Sequence, residues 1–330
     1  MDTVRFGTTG LKVSRLCLGT MTFGLQCDER TSFAILDRAA AGGISFIDTA
    51  DAYPLGGSME TAGRSEEIIG KWLRGRRADF IVATKCHGRM GPNPWNTGLS
   101  RKHILEAMDA SLVRLQTDYV DLLQLHHPDP DTPMDESLSA MDDLVRAGKV
   151  RYIGVSNHPA WKIARANGRS DLLGLARFVS VQPRYSLLFR QMEREMFPMC
   201  AEEGLAVIPY NPLAGGLLTG KHSYAAPPTE GTRFRLGTAA NNYQDRYWQE
   251  REFKSVEVLR EIAAAAGLGM VQMAIAWVLA NPAVTAPIIG ASKPGQLDDS
   301  IAAPAVTLSD DLKERLDETT AEYRLGDAPR

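Results

Sequence analysis

Short apolar runs alternate with segments of helical periodicity along most of the chain. Residues 43–47 and 79–84 are two such runs, each introduced by glycine or charged residues. Apolar runs of this length are typical of strands that are buried on both faces of a parallel sheet. The pattern predicts strands at residues 14–18, 43–47, 79–85, 119–125, 152–155, 178–181, 205–209 and 286–289.

Helices are predicted between these strands, where apolar positions recur every three or four residues. Ser65 and Ser100 are expected to open two of them as capping residues, and Gly42 and Gly148 to follow the ends of two others. The predicted helices cover residues 31–41, 65–73, 100–114, 135–147, 191–203, 247–266, 270–280 and 309–321.

Alternation of strands and helices predicts parallel strands joined by right-handed helical crossovers. Eight units in about 300 residues favour a (β/α)8 barrel, the TIM-barrel architecture, over an open sheet. Residues 4–13 are predicted to form an N-terminal β-hairpin with its turn at residues 8–10, and extra helices are expected towards the C-terminus. Because no linker or repeat divides the chain, we expect a single domain over residues 1–330.

The composition of the chain argues against several functional classes of protein. The chain has 330 residues, 44% of them hydrophobic, and a net charge of −3, so it lacks the basic balance of a nucleic-acid-binding protein. The four cysteines form no Cys-x-x-Cys pair, which argues against a zinc knuckle or a disulfide framework. No basic-then-apolar leader and no apolar run of about 20 residues is present. We therefore expect a cytoplasmic protein without a membrane partner.

Polar residues stand at the carboxyl ends of the predicted strands, where a buried strand would otherwise continue as apolar sequence. In a barrel these ends converge on one face, which is where barrel enzymes build their active sites. The residues in question are Thr20, Asp48, Lys85, His126, Asn157, Gln182 and Tyr210.

Asp48, Tyr53 and Lys85 suggest proton-transfer chemistry. A phenol is a poor acid, with a reference pKa of about 10. A cation at roughly 4 Å acts on a phenolate by about 4 kcal/mol at an effective dielectric constant near 20, which corresponds to about three pKa units. Lys85, held by the Asp48 carboxylate, is therefore expected to lower the pKa of Tyr53 into a useful range. The alternative is ordinary: Asp48 caps a helix, Tyr53 is a loop aromatic and Lys85 is solvated.

His126 admits two interpretations. At a strand tip it could donate a hydrogen bond to a substrate carbonyl, or it could bind a metal with His127, Asp129 and Asp131 nearby. Adjacent strand residues point to opposite faces, so His126 and His127 are not expected to enter one site. We therefore expect no metal.

Two segments suit phosphate groups. Residues 215–221 have the spacing of a P-loop but continue with His222 instead of Ser or Thr, and no Gly-x-Gly-x-x-Gly motif follows a strand. The backbone N–H groups and Lys221 still suit a pyrophosphate. Ser292 and Lys293 precede a helix that is predicted to begin near Pro294, and together they resemble an anion site.

Loops supply further candidates. Phe23, Tyr53 and Trp95 are expected to form an aromatic-walled substrate pocket, which His126 would complete. Arg233 or Arg235 is a candidate clamp for a cofactor or for a polar substrate.

The chain resembles the aldo-keto reductase family over nearly its whole length. The motifs that carry the resemblance occur in order, each at a strand end. They are the segment Gly-Ile-Ser-Phe-Ile-Asp-Thr-Ala-Asp-Ala-Tyr at residues 43–53, Thr-Lys at 84–85, Gln-Leu-His at 124–126, Gly-Val-Ser-Asn at 154–157, and Pro-Tyr-Asn-Pro-Leu-Ala-Gly-Gly at 209–216. The likeness is greatest to the branch that contains bacterial reductases and potassium-channel β subunits.

The resemblance implies an NADPH-dependent oxidoreductase that interconverts an aldehyde or ketone and an alcohol. Tyr53 would be the general acid, Lys85 and Asp48 would assist it, and His126 would orient the carbonyl. NADH is a possible cofactor. The implied partner is a small carbonyl compound, and the protein is expected to be a monomer or a homo-oligomer.

The resemblance also implies a cofactor trough. Asn157 and Gln182 would bind the nicotinamide carboxamide, Tyr210 would stack on the ring, and Lys293 suits a 2′-phosphate. Asp299 and Ser300 stand where the branch usually has Glu and Asn. With Arg233 included, the expected cofactor residues are Gly19, Thr20, Met21, Asp48, Ser156, Asn157, Gln182, Tyr210, Asn211, Pro212, Leu213, Gly215, Lys221, Arg233, Gly290, Ser292, Lys293, Gln296, Asp299 and Ser300.

Two other functions stay open. One is a cofactor-sensing regulatory subunit with little turnover, as in the channel-associated relatives, although those relatives have Asn at the position of His126. The other is a metal-dependent hydrolase on the same barrel.

Overall fold

The computed structural model describes residues 1–327, so residues 328–330 of the predicted domain lie outside the described range. The strands are β1 (Thr3–Arg5), β2 (Lys12–Ser14), β3 (Cys17–Gly19), β4 (Phe46–Asp48), β5 (Ile81–Cys86), β6 (Val120–Leu125), β7 (Val150–Ser156), β8 (Phe178–Gln182), β9 (Ala206–Val207) and β10 (Ile288–Ile289). The helices are α1 (Glu29–Ala41), α2 (Arg64–Trp72), α3 (Arg101–Leu115), α4 (Met134–Arg146), α5 (Ala160–Leu173), α6 (Met196–Glu203), α7 (Ala240–Tyr247), α8 (Glu250–Ala265), α9 (Met270–Leu279), α10 (Asp298–Ala302) and α11 (Asp310–Thr319).

Strands β3 to β10 form one parallel sheet in the order β10-β3-β4-β5-β6-β7-β8-β9. The two ends of this sheet also meet. The N–H groups of Thr285 and Ile288 donate to the carbonyl oxygens of Val207 and Pro209, each at 2.8 Å. The sheet is therefore closed, with helices around it, and the predicted (β/α)8 barrel is confirmed.

The predicted N-terminal hairpin is also confirmed, with β1 and β2 antiparallel and Val4 paired with Val13. It lies at the amino ends of the barrel strands. Phe6, just after β1, is fully buried, and its ring meets that of Phe46 edge-on with centroids 5.9 Å apart. The hairpin therefore plugs the bottom of the barrel, opposite the carboxyl ends of the strands.

Apolar residues form two layers, one inside the barrel and one between the sheet and the helices. Phe46, Ala83 and Leu122 belong to the inner cluster, whereas the residues that follow them, such as Ile47 and Leu123, pack in the outer layer. Alternate residues of a strand point to opposite faces, so two residues further along each strand the side chain again points inward. This alternation places the polar side chains of Asp48, Lys85 and Gln124 inside the carboxyl end of the barrel.

Several local predictions were wrong. Ser65 does not cap α2, because the helix begins one residue earlier after Gly63, whose φ of 89° suits only glycine comfortably. The Ser65 hydroxyl instead donates to the carbonyl of Phe23 at 2.8 Å.

The prediction that Ser100 caps α3 is confirmed, since its hydroxyl accepts from the N–H of His103 at 3.3 Å.

Other differences concern helices. Helix α5 was not predicted, and the predicted helix at residues 191–203 is a short 3₁₀ turn followed by α6. The predicted loop at residues 214–242 contains 3₁₀ turns and the start of α7, and the predicted helix at residues 247–266 begins only at Glu250.

Within residues 1–327, no single helix is long and apolar enough to cross a membrane. Helices α8 and α9 satisfy the length and composition criteria only when taken together, and they are bent by 93° relative to each other.

Two helical glycines should respond in opposite ways to alanine. A Cβ atom at Gly70 would lie 2.3 Å from the carbonyl oxygen of Arg114, whereas a Cβ atom at Gly168 would meet nothing within 4 Å. We expect Gly168→Ala to stabilise the protein by about 0.5–1 kcal/mol through helix propensity, and Gly70→Ala to destabilise it by ~1–3 kcal/mol through overpacking. Thermal unfolding of both variants beside the parent measures this. Equal shifts in one direction would contradict the packing of α2 against α3.

Candidate active site

A buried ion pair lies at the carboxyl end of the barrel. The Lys85 ammonium donates to Asp48 Oδ2 at 2.6 Å and to the carbonyl of Thr49 at 2.8 Å. It also lies 3.4 Å from the hydroxyl of Tyr53. The side chain of Lys85 is fully buried and that of Asp48 is 3% exposed. The structure thus brings together the three residues that the sequence singled out, and solvated or capping roles for Asp48 and Lys85 are ruled out.

Asp48 also accepts hydrogen bonds on its other oxygen. The side-chain amides of Gln182 and Gln124 donate to Asp48 Oδ1 at 2.8 and 3.1 Å, and Gln182 Nε2 lies 3.3 Å from Gln124 Oε1. Both carboxylate oxygens are therefore satisfied inside the barrel. Sequence reasoning missed the contribution of Gln124, although its inward position, two residues after Leu122, was a usable signal.

Burial and charge together set the ionisation of the site. Burial alone would lower the pKa of Lys85, but Asp48 and Tyr53 raise it above its usual value, so the side chain stays an ammonium. Burial raises the pKa of Tyr53 more than Lys85 lowers it. The expectation of a net lowered Tyr53 pKa was therefore wrong, because it counted the cation and left out desolvation. Tyr53 is a protonated phenol at neutral pH.

His126 stands beside Tyr53, with ring centroids 5.8 Å apart and nearly perpendicular. Burial, with Lys85 second, lowers its pKa well below the usual value, so the ring is neutral. His127 stacks on His126 with centroids 4.8 Å apart, and both rings line the same cleft. The prediction that they face opposite sides was wrong, because β6 ends at Leu125 and strand alternation ends with it.

These histidines do not assemble a metal site with their neighbours. Among the described residues, no group of three or more His, Cys, Asp or Glu side chains is arranged to hold a metal ion. Asp129 instead accepts hydrogen bonds from the Leu99 N–H, the Asp131 N–H and the Thr132 hydroxyl.

A cleft of about 210 Å³ opens above Tyr53. The strand-end residues converge on it as predicted for a barrel, although Lys85 lies beneath its floor. The predicted site residues that line it are Gly19, Thr20, Met21, Asp48, Tyr53, His126, Ser156, Asn157, Gln182, Tyr210, Asn211, Arg233 and Gly290.

A second cavity of about 340 Å³ continues from the first. Asn211, Arg233 and Gly290 line both, so the two form one trough. The other predicted cofactor residues in the second cavity are Pro212, Leu213, Gly215, Lys221, Ser292, Gln296 and Asp299.

The trough suits a long, anionic dinucleotide. The Asn211 side-chain N–H group is buried and has no partner within residues 1–327, which leaves a donor for a ligand. Asn211 also has a φ of 58°, in the left-handed region that asparagine adopts more readily than most other non-glycine residues. Arg233 contacts Asn211 Oδ1 at 3.3 Å and has no acidic partner in the described part of the chain. An unpaired cation beside an unsatisfied donor fits a pyrophosphate.

Asn157 is tied to its neighbours by its own amide. Its N–H group donates to the His126 carbonyl at 3.0 Å, and its oxygen accepts from the Tyr210 hydroxyl at 2.9 Å. The Ser156 hydroxyl donates to the Gln182 carbonyl at 2.8 Å. These bonds fix the wall of the cleft that faces Tyr53.

Some predicted residues lie elsewhere. Phe23 is fully buried in the outer apolar layer and is not a pocket wall, because its strand-to-helix loop folds inward. Trp95 is half-exposed and does not line the Tyr53 cleft. Ser300 is buried within α10, and Lys293 is exposed at the rim, so neither lines the second cavity. Arg235 pairs with Glu230 away from the trough.

A second buried acidic group lies behind the Tyr53 loop and was missed by the sequence analysis. Asp51 is fully buried, its N–H donates to the Lys85 carbonyl, and its Oδ2 has no partner among the described residues. Glu66, also buried, accepts from Thr84 and from Arg114. Burial, and then the negative charge of Glu66, raise the pKa of Asp51 to about 8.

Comparison with known proteins places these residues in context. The profile described as the Aldo/keto reductase family matches residues 15–321. The chain is 40% identical to the uncharacterized oxidoreductase YrpG of Bacillus subtilis (strain 168), covering 96% of this chain and 95% of the relative. It is 37% identical to a probable voltage-gated potassium channel subunit beta of Arabidopsis thaliana, with 92% and 91% covered. It is 33% identical to the versiconal hemiacetal acetate reductase of Aspergillus parasiticus, with 96% of each covered.

Asp51 should make stability depend on pH. The pKa of Asp51 is higher in the folded than in the unfolded chain. The contribution of Asp51 to the free energy of unfolding is therefore fully present below about pH 4 and is lost as the pH rises towards 8. Asp51→Asn cannot lose that proton. We expect the variant to melt ~2 °C or more above the parent at pH 8.5, with a smaller difference at pH 5. The exposed Asp311→Asn serves as the control in the same thermal scans, and parallel pH profiles for Asp51→Asn and the parent would contradict the assignment.

Proposed function

We propose that this chain, which belongs to the aldo/keto reductase family, is an NADPH-dependent oxidoreductase that reduces an aldehyde or ketone to an alcohol. One observation carries the proposal: Lys85 Nζ lies 2.6 Å from Asp48 Oδ2 and 3.4 Å from the Tyr53 hydroxyl, beneath a cleft that opens into a dinucleotide-sized trough.

Tyr53 is the proposed proton donor. Its hydroxyl is protonated at neutral pH and faces the cleft, so it can give a proton to a carbonyl oxygen there. The phenolate that results lies beside the Lys85 ammonium, which stabilises the new negative charge in a buried, low-dielectric setting. Asp48 holds that ammonium in place. In the reverse direction the same phenolate accepts the proton from an alcohol.

His126 is the proposed orienting group. The ring is neutral, and a neutral imidazole carries one N–H donor. A hydrogen bond from this donor to the carbonyl oxygen would hold the substrate beside Tyr53. The stacking of His127 and the edge contact with Tyr53 fix the ring plane.

When bound, the nicotinamide would supply the hydride to the carbonyl carbon. Asn211, Arg233, Lys221 and the backbone around Gly215 would hold the pyrophosphate, since they line the trough and supply donors and positive charge. Ser292, Gln296 and Asp299 would meet the adenosine end. The Gln182 amide donates to Asp48 and to Gln124, so its proposed contact with the carboxamide would use the amide oxygen.

A cofactor-sensing regulatory role with little turnover is the second candidate. The similarity to proteins named as potassium channel β subunits favours it. Steady-state oxidation of NADPH with a panel of aldehydes and ketones separates the two. The single-domain organisation and the cytoplasmic location expected from the sequence stay predictions.

Tyr53→Phe should remove the proton donor and leave the trough intact. We expect kcat to fall by about 10²-fold or more, the usual contribution of a positioned acid. The Kd for NADPH, from titration of intrinsic fluorescence, should change less than about twofold, a difference well under 1.4 kcal/mol.

Tyr224→Phe is the matched control for this experiment, because Tyr224 is half-exposed and packs on Phe253 away from both cavities. It should turn over like the parent. Parental kcat in Tyr53→Phe would refute the assignment of the acid.

Lys293 is expected to make the protein bind NADPH more tightly than NADH. It is exposed at the rim of the second cavity next to Ser292, and it has no ion-pair partner among residues 1–327. We expect Lys293→Met to weaken NADPH binding by about tenfold through loss of a charge-assisted contact, and to leave NADH binding unchanged. Paired Kd measurements test this, and equal losses for both cofactors would mean that Lys293 does not read the 2′-phosphate.

A further inference from the structure

One cation in the Tyr53 cleft has no role in the mechanism above. Arg246 projects from α7 into the lining of this cleft and is exposed to solvent. Within the described part of the chain, it makes no ion pair and no hydrogen bond. A guanidinium in a cleft normally finds a planar acidic partner, because its donors match a carboxylate in pairs.

Arg246 and Arg233 occupy different parts of the trough. Arg233 lines both cavities and touches Asn211 and Met21, which places it on the cofactor side. Arg246 lines the Tyr53 cleft but not the second cavity. The two cations therefore occupy different parts of the trough, and Arg246 lies only in the cleft that contains Tyr53.

The acidic groups of the cleft do not neutralise Arg246. Asp48 is the acidic residue among those that line it, and both of its oxygens are engaged by Lys85, Gln124 and Gln182. Asp245, the neighbour of Arg246 in α7, does not line the cleft. The open wall around Arg246 thus carries an uncompensated positive charge.

The positive charge of Arg246 acts on other residues that line the cleft. Burial, His87 and then Arg246 lower the pKa of His127, and the burial that raises the pKa of Tyr210 is opposed by Arg246. His127 and Tyr210 both line the cleft. A group held by Arg246 would therefore lie in the same cleft as a carbonyl bound at Tyr53 and His126.

We propose that Arg246 is a specificity-determining residue and that the preferred substrates are aldehydes or ketones bearing a carboxylate at the end remote from the carbonyl. His127 lines the same cleft, and its neutral ring can donate one hydrogen bond to the bound carboxylate. The inference rests on the proposed function of the Tyr53 cleft and adds the chemical class of its substrate.

The test compares two substrates that differ in charge at one end: 4-carboxybenzaldehyde and its methyl ester, methyl 4-formylbenzoate. The measurement is kcat/KM for NADPH oxidation by the full-length protein, expressed as the acid-to-ester ratio. We expect Arg246→Gln to lower this ratio by about tenfold, mainly through the KM of the acid, and Arg246→Glu to lower it further. Arg246→Lys should restore part of the ratio. Added salt should reduce the ratio in the parent and not in Arg246→Gln.

Lys254→Gln is the matched control, because it removes one positive charge from α8, outside both cavities. It should keep the parental ratio. If the parent reduces the ester and the ratio is the same in Arg246→Gln, the inference is overturned and the proposed function stands. If the parent reduces neither compound nor other aldehydes, the proposed function falls and the inference falls with it. A ratio that falls equally in Lys254→Gln would mean a general charge effect and would also overturn the inference.

Discussion

The buried pair of Lys85 and Asp48 is the interaction on which the site depends. An unpaired ammonium inside a protein costs several kcal/mol, so this lysine is tenable only because a carboxylate lies 2.6 Å away and a backbone carbonyl takes a further hydrogen. Asp48 is in turn held by two glutamine amides from β6 and β8. The pair therefore links four strands of the barrel, and its geometry is rigid before any ligand arrives.

This rigidity explains how the remaining parts of the cleft are divided. The strands supply the charged floor, and their positions follow from the register of a closed parallel sheet. The segments that connect the strands supply the walls: Tyr53 after β4, His126 after β6, and Arg246 in α7 between β9 and β10. Under the proposed function, the strands of the barrel would set the reaction class and the segments between them the choice of substrate.

Much of the fold could be predicted from the sequence, because buried strands appear in it as short apolar runs. The polar residues Asp48 and Lys85 could be singled out because they interrupt these runs at the strand ends. Contacts between distant segments of the chain could not be predicted in this way. Phe23 was predicted to be a pocket aromatic, but its side chain is buried in the outer apolar layer. Helix α5 carries Gly168 and Asn167, which obscured its periodicity. The raised pKa of Asp51 near Glu66 and the net pKa of Tyr53 depend on desolvation, which no spacing of residues encodes. The roles of the site residues stay predictions, whereas their convergence on one cleft is a property of the structure.

The hairpin at the bottom of the barrel makes the interior a cup with a single mouth. Beneath Lys85 the space is filled by Phe46, Ala83 and Leu122, and Phe6 covers them from below. These four side chains make the layer beneath Lys85 apolar. Under the proposed function, Tyr53 would regain its proton through the same opening by which the product leaves. Reprotonation would then be coupled to emptying of the cleft, and solvent isotope effects on turnover would report on that shared opening.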